Sequence, residues 1–410
     1  MKNDVIRIGA VGCGVVATAY YFPFIVEYEK TELVAVCDRR AARARESARI
    51  FGAPEVYADY DEMLEKSDID AVFILTGAGP HAEFAVKAAA AGKHILLQKP
   101  MTLTVADANR IVDAVRMAGV KAVVEPSGGT LVQESMRELK EIVDAGALGE
   151  PYWFYHVPTG PTRYGPELSA NPYGAGAFYT KDSGGLVFDS PYGPTPSVTL
   201  LGPVKSVLGS ARISVPDRAI VPAERYDEFL AQVSDPNEAN YWREVVHQER
   251  SQPIRMEAPD NAFCTYEMEN GAIGVYHVGR LFHPMPKGVV MPGLQIFGTG
   301  GNLIFGGPHA VSIISKHADL LPRTDEDGWY HIDPEPLPPS PWPIPAKGSW
   351  IYYHESTKHL VECITGDAEP IVNVEWGRHI TEIMYGVLES NRTGARYEMT
   401  STTTGLRSER

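Results

Sequence analysis

A lysine closes an apolar segment in the first quarter of the chain. The stretch HILLQKPMTLT, residues 94–104, predicts a buried strand that delivers Gln98, Lys99 and Pro100 at its carboxyl end. An ammonium group buried without a partner is costly, so a lysine here indicates a site that uses its charge. Pro100 biases Lys99 towards extended backbone, which aims the lysine away from the following helix.

A glycine turn follows the first predicted strand and opens a helix. In GAVGCGVVA, Gly12 permits a tight turn, Gly14 lets the backbone approach a diphosphate, and Ala17 is small enough for close packing of helix and strand. Val15 and Val16 begin the helix, whose free N–H groups favour an anion. The pattern predicts a dinucleotide site.

Asp38 ends the second predicted strand, at the spacing expected for an acidic ribose ligand. Its carboxylate would accept hydrogen bonds from the adenosine ribose and repel a 2′-phosphate, which favours NAD over NADP. Arg39 and Arg40 argue the other way, because an arginine at this place can hold a 2′-phosphate or stack on adenine. Cys13 and Cys37 are expected to be small buried side chains and not redox centres.

A second polar loop, TGAGPH, follows the third predicted strand and contains Thr76, Gly77 and His81. Ligands of an open parallel sheet lie outside the carboxyl ends of its strands. We therefore expect this loop and the Gln98–Lys99–Pro100 segment to face the nicotinamide half of a dinucleotide. His81 is predicted to line the cofactor and not to act as an acid or base.

The elements that would position these residues alternate between short apolar runs and helical patterns, which is typical of parallel βαβ units. The predicted strands are VIRIGAV, ELVAVCD, AVFILTG, HILLQKP and VKAVVEP. Later segments are rich in β patterns, aromatic residues and glycine, without crossover helices. We expect an α/β chain with a Rossmann domain at residues 1–127 and an α+β domain with a mostly antiparallel sheet at residues 128–410.

Several later segments have their own signatures. FCTYEMENGAIGVYHVG predicts a hairpin with Asn270 and Gly271 at its turn, and LQIFGTGGNLIFG predicts another. RYDEFLAQVSDPNEANYWREVVHQERSQ is expected to be a charged surface insertion, with a lid as the alternative. DPEPLPPSPWPIP is expected to be an extended arm. The last predicted helix, WGRHITEIMYGVLES, should pack on the core through Ile380, Ile383, Met384, Val387 and Leu388.

Four motifs together resemble the glucose-fructose oxidoreductase and inositol dehydrogenase family, Gfo/Idh/MocA. They are the GxGxxA turn, AGKH at 91–94, QKP at 98–100 and GGLVFD at 184–189, and the last helix is also similar to that of the family. Gln98 replaces the family's usual glutamate. The resemblance implies an open-faced sheet in the second domain and oligomerisation, as a dimer or tetramer, through that face.

The resemblance also implies a catalytic group made of Lys99, Asp189 and Tyr192, with Tyr192 at the family's histidine position and Thr195 at that of a second carboxylate. Oxidising a carbinol needs a hydride acceptor facing the C–H bond and a base near the O–H group. Lys99 or Tyr192 could be that base, and Asp189 could tune either one.

Aromatic and polar residues in YWFYHVPTGPTRYGPE suit a sugar site, and we name His156, Arg163, Tyr164 and Lys181 as substrate-binding candidates. The leading hypothesis is NAD-dependent oxidation of a secondary hydroxyl on a sugar, polyol or glycoside. One alternative is redox-assisted glycoside cleavage with retained NAD, a known departure from two-carboxylate hydrolysis. Another is a dinucleotide-binding sensor or assembly protein without chemistry.

Composition narrows the classes further. The net charge is −15, with acidic residues spread along the chain, which argues against a nucleic-acid partner. Four cysteines without metal-ligand spacing predict no metal site and fit a reducing compartment. No apolar run reaches membrane-spanning length and no signal peptide is evident. We expect a cytoplasmic protein whose substrate is a small carbohydrate.

Overall fold

The computed structural model describes residues 5–157, 179–234, 238, 242, 252–279, 293–306, 309–333, 351–366 and 368–403. Within these residues the chain forms a six-stranded sheet, a nine-stranded sheet and a two-stranded ribbon. In the part described, no helix combines the length and the apolar character needed to cross a bilayer.

The first sheet is parallel throughout. Its strands pair in the order β3-β2-β1-β4-β5-β6, so strand order reverses between β1 and β4, where doubly wound folds bind ligands. The strands are β1 (Ile6–Val11), β2 (Thr31–Cys37), β3 (Glu55–Tyr57), β4 (Ala71–Ile74), β5 (His94–Leu97) and β6 (Ala122–Val124). The five predicted strands are confirmed. Sequence patterns missed β3 because it is only three residues long and not fully buried.

Helices connect these strands. After β1 the chain passes through a π-helical turn (Ala17–Tyr21) and continues as α1 (Phe22–Glu27). The others are α2 (Ala41–Phe51), α3 (Tyr60–Lys66), α4 (His81–Ala90) and α5 (Val105–Ala118). Thr104 caps α5, because its side chain accepts a hydrogen bond from the Asp107 N–H group. Gly52 ends α2 at φ +75°, a left-handed conformation that suits glycine.

The second sheet is mostly antiparallel and has the order β16-β15-β14-β13-β7-β12-β11-β8-β17. Its only parallel pair among the described residues is β7 with β12, so the predicted fold class is confirmed. The strands are β7 (Pro151–His156), β8 (Val204–Arg212), β11 (Asn261–Met268), β12 (Ile273–Gly279), β13 (Leu294–Gly298), β14 (Gly301–Phe305), β15 (Val311–Ser315), β16 (Trp329–Ile332) and β17 (Tyr397–Glu398); β9 (Asp217–Ile220) and β10 (Gln252–Arg255) form the ribbon.

Both predicted hairpins are confirmed, and Asn270 and Gly271 lie in the turn of the first. The Met268 N–H group donates to the Ala272 carbonyl and the Gly271 N–H group donates to the Met268 carbonyl. Gly271 has φ +89°, whereas no described residue other than glycine has a positive φ. Asn270 and Gly271 are therefore not a two-residue turn; the loop has three residues and only Gly271 is left-handed.

Further helices lie against both sheets. They are α6 (Glu134–Asp144), α7 (Gly185–Phe188), α8 (Pro194–Leu201), α9 (Ala223–Gln232), α10 (Ile351–Thr365) and α11 (Val374–Thr393). The last of these, α11, packs between α5 and β8. The predicted apolar face of α11 is confirmed, with Leu388 only half-buried. Because α11 contacts elements of both predicted domains, the boundary at residues 127/128 stays a prediction.

Candidate active site

The glycine turn after β1 has a backbone that side chains would disrupt. Gly12 has φ +95°, and a Cβ atom built on it would lie 2.8 Å from the Leu75 carbonyl carbon. A Cβ built on Gly14 meets no described atom within 4 Å, so that side of the turn is open. Ala17 is fully buried. The turn therefore fits a diphosphate lying beside Gly14.

Helical backbone begins directly after this turn, at Val15. The Thr18 N–H group donates to the Gly14 carbonyl over 3.0 Å. Val15 is buried and Val16 half-buried, so the start of the helix is packed from one side.

Asp38 connects the glycine turn to the end of β2. It accepts hydrogen bonds from the Cys13 N–H group at 2.9 Å and from the Arg40 N–H group at 2.8 Å. These bonds fix the carboxylate where an adenosine ribose would lie. Arg39 is exposed beside it. Burial raises the pKa of the Cys13 thiol, and that of the Cys37 thiol to about 12, so both thiols are protonated at neutral pH, as expected of structural cysteines.

The loop after β4 is tied to the loop after β5 by His81. His81 is fully buried; its Nε2 lies 3.1 Å from the Thr76 carbonyl oxygen and its Nδ1 lies 2.9 Å from that of Pro100. Burial lowers the pKa of this imidazole. Gly77 is exposed in the same loop. His81 thus holds the two loops together, and its direct contact with a cofactor stays a prediction.

Lys99 meets a segment that is ninety residues away in the chain. Its Nζ lies 2.5 Å from Asp189 Oδ1 and 5.3 Å from the centre of the Tyr192 ring. The side chains of Lys99 and Asp189 are 12% and 1% exposed. A partly buried ammonium, a carboxylate and a phenol thus converge at the carboxyl end of β5. The Asp189 carboxylate is therefore the charged partner that the buried Lys99 requires.

Two glycines allow the Asp189 segment to approach so closely. Gly184 and Gly185 have φ +72° and +69°, and a Cβ on Gly185 would lie 2.7 Å from the Ala258 Cβ and 2.8 Å from the Pro259 carbonyl oxygen. The short helix α7 starts at this contact, and the Asp189 N–H group donates to the Gly185 carbonyl. The glycine pair of GGLVFD therefore positions the carboxylate.

Gln98 belongs to a buried polar network that sequence reasoning missed. Its side-chain amide donates to the Tyr21 hydroxyl over 2.8 Å, and Tyr21 donates to Glu125 Oε1 over 3.0 Å. Glu125 also accepts from the Ser127 N–H group and the Ser356 hydroxyl. Burial raises the pKa of Glu125, and these hydrogen bonds oppose the rise. One signal in the sequence could have indicated this network: Glu125-Pro126 follows β6 just as Lys99-Pro100 follows the neighbouring β5.

The predicted substrate residues are only partly brought to this place. The His156 Nδ1 atom lies 2.8 Å from the Gly193 carbonyl oxygen, next to Tyr192 in the chain. Burial lowers the pKa of His156 to about 4, so it is neutral at pH 7 and adds no positive charge. Lys181 is exposed on a 3₁₀ turn. Arg163 and Tyr164 lie outside the described residues.

Two further predictions concern groups that could have taken part in the chemistry. Thr195 is buried in α8 and its hydroxyl donates to the Pro191 carbonyl one turn earlier. The hydroxyl thus makes a local backbone hydrogen bond at the start of the helix. In the described part of the chain, no three histidine, cysteine or acidic side chains are grouped to hold a metal ion.

Comparison with protein families gives two matches. A model described as an oxidoreductase family with an NAD-binding Rossmann fold matches residues 6–125. A model described as the GFO/IDH/MocA C-terminal domain matches residues 136–304. Together they cover most of the chain.

Individual proteins add to this finding. The chain is 35% identical over 145 residues to a dTDP-3,4-didehydro-2,6-dideoxy-alpha-D-glucose 3-reductase of Streptomyces violaceoruber, covering 35% of this chain and 42% of that protein. It is 29% identical over 146 residues to a myo-inositol 2-dehydrogenase of Thermotoga maritima, covering 36% and 43%. The matches thus span less than half of these relatives.

Among solved structures, levoglucosan dehydrogenase in complex with NADH and L-sorbose has a TM-score of 0.73 to this chain. The two are 18% identical, over 97% of this chain and 99% of that one. At this identity the likeness establishes the fold.

Proposed function

The chain belongs to the Gfo/Idh/MocA family of NAD-binding oxidoreductases, as its motifs predicted, and from this membership we propose that it oxidises a secondary hydroxyl of a sugar, polyol or glycoside. The contact of Lys99 with Asp189, 2.5 Å between Nζ and Oδ1 beside the Tyr192 ring, carries the proposal. It joins a strand end of the NAD-binding sheet to a segment that the C-terminal domain model matches. A substrate hydroxyl placed against Lys99 would face this strand end and the segment that contains Asp189 and Tyr192.

The cofactor site accounts for the redox half of the reaction. The open side of Gly14 and the fixed carboxylate of Asp38 would hold the diphosphate and the adenosine ribose. The loops that contain Thr76, Gly77 and Lys99 would face the nicotinamide. When bound, NAD supplies the acceptor for the hydride that leaves the carbinol carbon.

The proton of the hydroxyl is assigned to Lys99, which would accept it as the neutral amine, the form that the positive charge of a bound nicotinamide favours. Its amine has a fixed position in the site, because Asp189 is buried and holds Nζ. A base must come within hydrogen-bond reach of the proton it takes. Asp189 acts through the lysine and is a positioning residue. Tyr192 is the second candidate, since its ring lies beside the ammonium.

Two variants distinguish the candidate bases. Tyr192→Phe keeps the ring that the ammonium contacts and removes only the phenol, whereas Lys99→Met removes the amine and keeps much of the side-chain bulk. If Lys99 is the base, Lys99→Met is the more damaging change by about 100-fold or more in kcat. A larger loss in Tyr192→Phe would assign the proton to the phenol.

Sugars are the proposed substrates because the relatives named above act on, or are bound to, sugars and polyols. His156 and Lys181 remain proposed substrate ligands. The neutral His156 would use its second ring nitrogen, Nε2, as a hydrogen-bond acceptor, since Nδ1 must donate to the Gly193 carbonyl. That arrangement suits a neutral sugar hydroxyl.

The experiment incubates purified protein with NAD and a panel of free sugars, polyols and aryl glycosides. Net NADH formation, followed by its absorbance, supports the dehydrogenase. Release of aglycone without net NADH supports the alternative, a glycoside hydrolase that oxidises and re-reduces its substrate. Binding of NADH with neither product from the whole panel would overturn both and favour a sensor.

The exposed face of the second sheet supports a proposed homo-oligomer. Phe263 and Ile273 are 55% and 54% exposed on neighbouring strands, and Trp153 stacks on Phe297 with ring centres 4.7 Å apart. We propose that a second copy of the chain covers this face. A Phe263→Lys/Ile273→Lys variant should be smaller by light scattering than the parent, while Met117→Lys, at an exposed site on α5, should not.

Four buried, unpaired cysteines support a reducing, cytoplasmic setting.

A further inference from the structure

The helix α9 lies against the adenosine edge of the NAD site. It comes from the segment expected to be a surface insertion, yet it packs on α2 of the first sheet. Tyr226 is buried, and its hydroxyl is hydrogen-bonded to the Thr18 hydroxyl in the helix that follows the glycine turn. The α9 segment is therefore part of the cofactor site's wall.

Two arginines at the start of α2 are held by acidic residues of α9. Arg40 places its guanidinium nitrogens 2.8 Å from Glu224 Oε1 and 2.9 Å from Asp227 Oδ2. Arg43 Nε lies 2.6 Å from Asp227 Oδ1, and its guanidinium lies 5.0 Å from the centre of the Tyr226 ring. Asp227 thus bridges both arginines with one oxygen for each.

These arginines start next to the residue that would hold the ribose. The Arg40 N–H group donates to the Asp38 carboxylate, so the Arg40 side chain leaves the backbone beside the ribose position. A 2′-phosphate at that position needs a cation, and arginine binds phosphate by charge-assisted, often paired hydrogen bonds. The terminal nitrogens of Arg40 and the Nε atom of Arg43 are instead bonded to carboxylates of α9.

We propose that α9 makes the chain selective for NAD over NADP: Glu224 and Asp227 hold Arg40 and Arg43 away from a 2′-phosphate and add negative charge beside it. Glu224 and Asp227 are positioning residues, because they act through the arginines. The proposal rests on the NAD site of the family and not on the assignment of a sugar substrate.

Partial exposure limits what each pair contributes alone. Exposed ion pairs are individually weak, and Glu224 is 64% exposed. Asp227 is only 20% exposed and holds two arginines, so the pair of acidic residues acts as a unit. Removing both charges together is therefore the informative change.

The experiment measures dissociation constants of NADH and NADPH by fluorescence titration of the full chain. In Glu224→Gln/Asp227→Asn, NADPH should bind about tenfold tighter, the size of one charge-assisted hydrogen bond, with NADH changed by less than about twofold. Glu228→Gln is the matched control, because Glu228 lies on α9 and pairs with Arg225, also of α9. It removes one charge without releasing Arg40.

Two additional variants test the route of the effect. Adding Arg40→Ala to the double variant should abolish the gain in NADPH affinity, and Asp227→Glu should keep the parent preference for NADH. Unchanged NADPH affinity in the double variant, or equal weakening of both nucleotides, would overturn the proposal. Because binding needs no sugar turnover, a failed substrate panel would leave this result interpretable.

Discussion

Gln98 is the residue whose substitution tests the buried network most sharply. Its amide donates to the Tyr21 hydroxyl, which in turn donates to Glu125. In Gln98→Glu the donor becomes a second carboxylate, and Tyr21 has one hydroxyl proton for two anions. The new side chain, at a position that is 4% exposed, must either stay charged without that bond or take up a proton.

Protonation sets the size of the effect. A glutamate with an ordinary pKa near 4.3 that is held neutral costs about 3–4 kcal/mol of folding free energy at about pH 7, and about 1 kcal/mol at about pH 5. The sign follows from a pKa that is higher in the folded than in the unfolded chain. The variant is therefore closest to the parent in acid and loses stability as the pH rises, until the pH passes the folded pKa.

Urea unfolding of the parent, Gln98→Glu, Glu125→Gln and the double variant measures this cost. The double variant leaves one carboxylate for the Tyr21 proton, so it should lose less than the sum of the single variants by about 1–3 kcal/mol. Gln232→Glu, at an exposed position, is the control for an added charge. Additive losses, or a Gln98→Glu cost below about 0.5 kcal/mol at neutral pH, would refute the network.

Two further predictions concern the glycine turn and acid stability. Gly14→Ala should unfold like the parent but bind NADH at least about tenfold more weakly by titration, because its methyl fills the diphosphate space; Gly12→Ala should instead lose folding stability, since its φ is +95°. Burial lowers the pKa of His359 and of His379 to about 4, so the unfolded chain binds protons first. Urea unfolding should show stability falling as the pH drops from about 6.5 to 4, by about 2 kcal/mol per histidine near pH 5, and a constant stability would contradict this.

Local sequence patterns were enough to predict most strands of the first sheet. Apolar runs between helical segments located five of its strands, and Gly12 has the positive φ that its motif requires. Local patterns could not give the second sheet's order, because β7 pairs with strands more than one hundred residues later in the chain. Such pairing depends on packing across the whole domain.

The candidate site likewise contains residues that local sequence predicts and residues that only the packing of distant segments brings together. Lys99 was found from the cost of a buried ammonium, but its partner Asp189 came only from the family resemblance. The Tyr21–Glu125 network and the α9 carboxylates were missed, since each joins residues from separate segments. Glu224 and Asp227 are ordinary surface residues by type, and only the packing of α9 on α2 relates them to Arg40.

The central claim is that Lys99, held by Asp189, takes the hydroxyl proton beside the nicotinamide, while other residues hold the diphosphate and the adenosine ribose of NAD. Single-turnover hydride transfer in Lys99→Ala, with a substrate from the panel, tests it most directly, with Lys205→Ala as an exposed control. The account predicts hydride transfer slowed by about 10²–10⁴-fold with NADH affinity within about twofold of the parent. Hydride transfer at the parent rate would contradict it.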